Sequence, residues 1–193
     1  FGLHDDRSSK VEVVTFLVEA SKPRLLRAAA GRRLYCVHPN VQKGLFQCTP
    51  SEYGSDLLSV DRQEVDQMFD GRTWWITGAS SGIGAALAAA LGQAGAGLVL
   101  SGRNEAALAE TARRAGAPYL VLPFEATDFE RIPAIVDQAW SWARARGGGI
   151  DGLVNNAGIS QRSLAVETVF AVYRRIVEVD LLAPIALTQA LLP

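Results

Sequence analysis

The chain has 193 residues, 49% of them hydrophobic and 20% charged, with 19 Lys plus Arg against 20 Asp plus Glu and a formal net charge of −1. That balance excludes a disordered tail, which would be poor in apolar residues, and a nucleic-acid binder that works through a basic surface. No run approaches the roughly 20 apolar residues of a membrane-spanning helix, and two cysteines, Cys36 and Cys48, are too few for a disulfide framework, so a reducing, cytoplasmic setting is expected.

The chain changes character near its single methionine, Met68. Both cysteines, both histidines (His4 and His38) and all three lysines (Lys10, Lys22 and Lys43) precede it, and every later cation is Arg. Residues 1–67 hold no sustained period. Val11 to Val18 is a candidate strand, Lys22 to Ala30 a basic helical turn, and Pro39 to Gly54 a loop. Cys36, His38 and Cys48 lack the ligand spacing of a zinc site, so no metal is expected. Residues 1–67 therefore read as a poorly structured extension, and the expectation is that the functional protein begins at Met68.

From Gly71 onward, short β-branched or aromatic runs alternate with Ala-rich stretches of helical length, the pattern of βαβ units on a parallel sheet. In chain order, Thr73–Thr77 is a strand, Ile83–Ala94 a helix, Leu98–Ser101 a strand, and Glu105–Ala115 a helix capped by Asn104. Tyr119–Pro123 is the third strand. Asp128 is the expected cap of a long helix that carries Trp140 and Trp142 and stops in the glycines at 147–149. Leu153–Asn155 is the fourth strand. Helices over about 168–182 and 184–192 follow, with Pro184 opening the last one, where a missing N–H costs nothing.

The turn after the first of these strands reads Thr77-Gly78-Ala79-Ser80-Ser81-Gly82-Ile83-Gly84. A strand that ends in such a turn and opens a helix presents unpaired N–H groups and the positive helix end to a pyrophosphate. Gly78, Ser80, Ser81, Gly82, Ile83 and Gly84 are therefore candidate dinucleotide-binding residues. Gly78 would permit the turn, Gly82 the close approach of phosphate to backbone, and Gly84 close packing of helix on sheet.

Thr-Gly-x-x-x-Gly-x-Gly at 77–84, with Asn155-Asn156-Ala157-Gly158 after the fourth strand, resembles the short-chain dehydrogenase/reductase family over residues 69–193. The resemblance implies an α/β, Rossmann-like, doubly wound parallel sheet in the order 3-2-1-4, here C-terminally truncated, with the fourth strand left as a bare edge. It also implies a nicotinamide cofactor and hydride transfer between a carbonyl and a secondary alcohol. Asn155, Ala157 and Gly158 are expected at the cofactor, with the second Asn steadying the central strand. Helices near residues 168–192 pair between subunits in such proteins, so a homo-oligomer is expected; the apolar residues there serve equally well to cover the chain's own sheet.

About 20 residues past the first glycine, an acid would bind the ribose 2′-hydroxyl of NAD and an Arg would accommodate the 2′-phosphate of NADP. This chain has Ser101-Gly102-Arg103-Asn104 there, which favours NADP over NAD; otherwise Arg103 is simply an exposed residue at the start of a helix. After Leu122-Pro123, either Glu125 or Asp128 can receive the adenine amino group, and the register favours Glu125. The family's proton transfer uses a Ser and a Tyr-x-x-x-Lys pair. Tyr35, Tyr53, Tyr119 and Tyr173 are followed four residues later by Pro39, Leu57, Pro123 and Val177, so no such pair exists here. Those groups are expected beyond Pro193. Where the family often has a helical Asn, this chain has Asp180, the one candidate catalytic residue, able to accept a hydrogen bond but not to donate one when ionised. The expected function is an NADP-dependent oxidoreductase acting on a small carbonyl or alcohol, with residues 160–164 at the substrate mouth. A non-catalytic NADP(H)-binding sensor is the alternative.

Overall fold

The computed structural model describes residues 12–15, 25–27, 34–36 and 62–192. Its main sheet is parallel throughout. β4 (Thr73–Thr77) lies beside β5 (Gly97–Gly102), which lies beside β6 (Tyr119–Pro123), and β7 (Gly152–Asn155) flanks β4 on the other side. This is the anticipated order, with boundaries shifted by a residue at most. The helices are α1 (Arg62–Phe69), α2 (Gly82–Gln93), α3 (Glu105–Ala115), α4 (Ile132–Ala145), α5 (Phe170–Val177) and α6 (Ala183–Leu191). Among the described residues, no helix is long and apolar enough to cross a membrane.

Side-chain alternation along β4 explains why the sheet is covered on both faces. Trp74 and Ile76 join Leu87, Leu91, Leu98, Leu100, Leu108 and Ala112 in one core under α2 and α3. Trp75 points the opposite way, into a second core with Val99, Ile135, Val136, Ala139, Leu153 and Leu187 under α4 and α6. Trp75 is fully buried, and its indole N–H donates to Ser101 Oγ at 2.9 Å, whereas the buried indole nitrogen of Trp74 has no hydrogen-bond partner among the described residues.

Four expectations need correction. The edge of β7 is not bare, because β1 (Glu12–Thr15) pairs with it in parallel, Val14 opposite Val154 and Thr15 opposite Asn155. Unpaired strand edges recruit whatever strand is available, and here the chain itself supplies one. Within the predicted basic turn, β2 (Leu25–Arg27) is a strand, antiparallel to β3 (Leu34–Cys36). The helix predicted from Asp128 begins instead as a 3-10 turn over Phe129–Arg131, and the Asp128 side chain makes no capping bond. The pair of helices predicted to part at Pro184 is one helical path. Pro184 has no N–H to offer the Asp180 carbonyl, so the path widens into a π turn over Glu178–Leu182, with the Ala183 N–H reaching back to the Glu178 carbonyl. The loop at 39–54, His38 and Cys48 lie outside the described residues.

The predicted cap of α3 is present. Asn104 Oδ1 accepts from the Ala107 N–H at 3.0 Å, and α3 ends at Gly116, whose φ of 67° closes the helix in the left-handed region. Trp140 and Trp142 both sit at the margin of the second core, under the guanidiniums of Arg144 and Arg146, respectively.

Candidate functional site

Ligands of such sheets bind where the carboxyl ends of the strands diverge, beside the turn at which the chain reverses its winding. The carboxyl ends of β4, β5, β6 and β7 bring Gly78, Ser80, Ser81, Gly82, Ile83, Arg103, Glu125, Asn155, Ala157, Gly158 and Asp180 around one cleft of about 1230 Å³. Gly84 stands just behind it. Small-molecule pockets run to roughly 1,000 Å³, so a dinucleotide has room.

The glycine turn is built by contact with the loop after β7. A Cβ on Gly78 would lie 2.8 Å from Ala157 Cα, and the residue has a φ of 66°. Gly82 has a φ of 57° with nothing near its missing side chain, so the space over it is open to a ligand. Gly84 is held for a different reason from the one its sequence position suggests. Its Cβ would meet the Asn156 amide and the Gly78 carbonyl, both at 2.5 Å, so close packing against the turn itself requires glycine there. α2 starts at Gly82 with Ser81 as its cap residue, and the Ser81 side chain makes no capping bond.

Thr77 and Asn156 join the two loops. Thr77 Oγ1 accepts from the backbone N–H groups of Asn156 and Ala157, each at 3.0 Å, and donates to the Val154 carbonyl at 3.3 Å. Asn156 Nδ2 donates to the carbonyls of Thr77 at 2.9 Å and Gly78 at 3.3 Å. Thr77 is buried, so these bonds are shielded from competing water. Asn155 is buried too, and its Nδ2 donates to Thr188 Oγ1 at 3.2 Å, tying the strand end to α6.

At the opposite wall, Asp180 lies within the π turn, and its Oδ1 accepts from the Ile159 N–H at 2.9 Å. The carboxylate is therefore not a solvated helix charge: it holds the loop that follows Gly158. Glu125, just past β6, meets two guanidiniums, Arg175 Nη2 at 3.2 Å and Arg103 Nη1 at 3.9 Å. Arg175 Nη1 also donates to Thr127 Oγ1 at 2.6 Å. Asp128 is turned to Arg131, at 3.8 Å, and does not line the cleft. Sequence reasoning passed over Thr77 and Arg175. Thr77 carried a signal, as the last residue of a strand before a glycine turn. Arg175 carried none, because nothing local relates α5 to the loop after β6.

A family model described as short chain dehydrogenase matches residues 72–193. Human dehydrogenase/reductase SDR family member 7 is 41% identical over 129 residues, 62% of this chain and 36% of the relative. Ketoacyl reductase HetN from Nostoc sp. is 35% identical over 126 residues, 64% of this chain and 42% of the relative. Among solved structures, L-sorbose reductase from Gluconobacter frateurii, complexed with NADPH and L-sorbose, superposes with a TM-score of 0.57 at 32% identity, covering 64% of this chain and 47% of that one. The chain thus spans well under half the length of the curated relatives it matches.

Proposed function

Since the chain belongs to the short-chain dehydrogenase/reductase family, we propose that it forms the cofactor-binding part of an NADP(H)-dependent oxidoreductase acting on a small carbonyl or secondary alcohol. The observation that carries the cofactor choice is Arg103. It stands at the carboxyl end of β5 on the wall of the cleft, its side chain 72% exposed, with no acidic residue at the end of the strand to claim a ribose hydroxyl. A guanidinium in that place pairs with a 2′-phosphate through a fork of donors.

The chain's residues fit such a cofactor, on the terms of the open space over Gly82 and the cradle that a Cβ on Gly78 would fill. The N–H groups opening α2 would take the pyrophosphate, Arg103 the 2′-phosphate, and the low floor at Ala157 and Gly158 the nicotinamide ribose. When bound, a reduced nicotinamide supplies hydride to a carbonyl carbon. Asp180 keeps the loop at Ile159 in place beside that position, and Ser160, Gln161 and Arg162 line the cleft next to it. This sequence contains no Tyr-x-x-x-Lys, and the role proposed for its residues is to bind and orient the cofactor. A second copy of the protein is the proposed partner of the apolar face at Val169, Phe170 and Tyr173, which is solvent-exposed.

The test is a titration of the chain with NADPH and NADH, repeated with Arg103→Ala. NADPH should bind the tighter of the two, and the substitution should abolish the difference. An NADPH preference that survives Arg103→Ala would overturn the assignment.

A further inference from the structure

Arg103 does not face the cleft alone. Glu125 stands 3.9 Å from it, and a carboxylate there works against a phosphate in two ways: it cancels the charge of Arg103, and it repels the incoming anion. Both side chains are partly exposed, so water and salt screen the interaction, but a like charge beside the site still weakens binding of the anion. A 2′-phosphate site with a free Glu125 at its wall would therefore be poor.

The carboxylate is not free. Its closer partner is Arg175 of α5, at 3.2 Å, which is hydrogen-bonding distance, whereas 3.9 Å to Arg103 is only the outer range of an ion pair. The Arg175 guanidinium is itself oriented through its other terminal nitrogen, Nη1, which donates to Thr127 Oγ1 and lies 3.9 Å from Glu178. Glu178 is shared in turn with Arg174, at 3.6 Å. Each oxygen of Glu125 thus faces a different guanidinium, and the stronger claim comes from the residue that lies further along the chain.

We infer that Arg175 is a specificity-determining residue: by holding Glu125, it leaves Arg103 available to an adenosine 2′-phosphate and removes the repulsion that Glu125 would exert. It is a positioning residue, acting through Glu125 rather than by touching the phosphate. The inference rests on the NADP reading above and extends it from the end of β5 to α5. It also gives Glu125 a role beyond the adenine amino group, as the carboxylate that Arg175 holds.

The test uses the full chain and two probes that differ only in the 2′-phosphate, adenosine 2′,5′-bisphosphate and adenosine 5′-monophosphate, titrated by calorimetry. Arg175→Ala should lower the preference for the bisphosphate by about threefold to fivefold, the scale of a partly exposed ion pair, with 5′-monophosphate affinity unchanged. Arg175→Lys should keep most of the preference. Glu125→Gln in the Arg175→Ala background should restore it, because the uncompensated carboxylate is gone. A preference that survives Arg175→Ala, or a loss that Glu125→Gln fails to reverse, overturns the inference and leaves the Arg103 assignment standing. Glu125→Gln alone should leave the preference at or above that of the unmodified chain, and a drop would also overturn it. Should the unmodified chain show no preference for the bisphosphate, the NADP reading fails, and this inference with it.

Discussion

Asn156 reaches across from the loop after β7 to the end of β4, its Nδ2 donating to the carbonyls of both Thr77 and Gly78. One amide thereby holds together the two loops that line the floor of the cleft. Asn156→Ala should destabilise the chain by about 1 to 3 kcal/mol, because two partly buried carbonyls lose their donor. Asn156→Asp should cost at least as much, since a carboxylate would present only acceptors to those carbonyls. Urea unfolding followed by tryptophan fluorescence measures both, and wild-type stability for either variant would contradict the bracing role.

The two left-handed glycines of the turn should respond differently to a methyl group. Gly82→Ala faces open space and should cost only the left-handed conformation, about 1 to 2 kcal/mol. Gly78→Ala adds a contact of 2.8 Å with the Ala157 backbone and should cost clearly more. Comparing the two melting temperatures checks this, and equal losses would mean that the turn and the Ala157 loop separate freely.

Asp180 acts on Ile159 as an acceptor, which an uncharged amide can replace. Asp180→Asn should stay within about 0.5 kcal/mol of the parent chain. Asp180→Ala should lose about 1 kcal/mol, since the Ile159 N–H is left without its partner. If Asn proves as damaging as Ala, the negative charge, and not the hydrogen bond, is what matters at this position.

Leu153 and Val154 of β7 are almost fully buried, and β1 pairs along the outer edge of their strand. Removing residues 1–61 takes that strand away and exposes a parallel edge. The shortened chain should self-associate, a shift visible by size-exclusion chromatography with light scattering. A monomer at the concentration where the full chain is monomeric would count against the pairing.

The glycine turn, the four strands of the parallel unit and the Asn104 cap were legible in the sequence because each is a local constraint. A short β-branched or aromatic run marks a strand buried on both faces, a missing Cβ permits a left-handed turn, and a side-chain oxygen reaches an N–H three residues on. The π turn was legible only in part: Pro184 announced an irregularity, but whether the helix would break or widen there depended on what packs beside it. β1 could be read as a strand and not as a neighbour of β7, for strand propensity names no partner.

What the sequence by itself determined, then, is the order of the elements, the dinucleotide-type turn and the place of Arg103 beyond the second strand of that unit. The tertiary structure alone decided which carbonyls the second Asn braces, what Asp180 holds, and that Arg175 answers Glu125 across 50 positions of chain. The physical reason is one of range. Backbone conformation follows from neighbours within a few residues, whereas the charge that an incoming phosphate meets is the sum over side chains that distant elements bring within about 4 Å of one another.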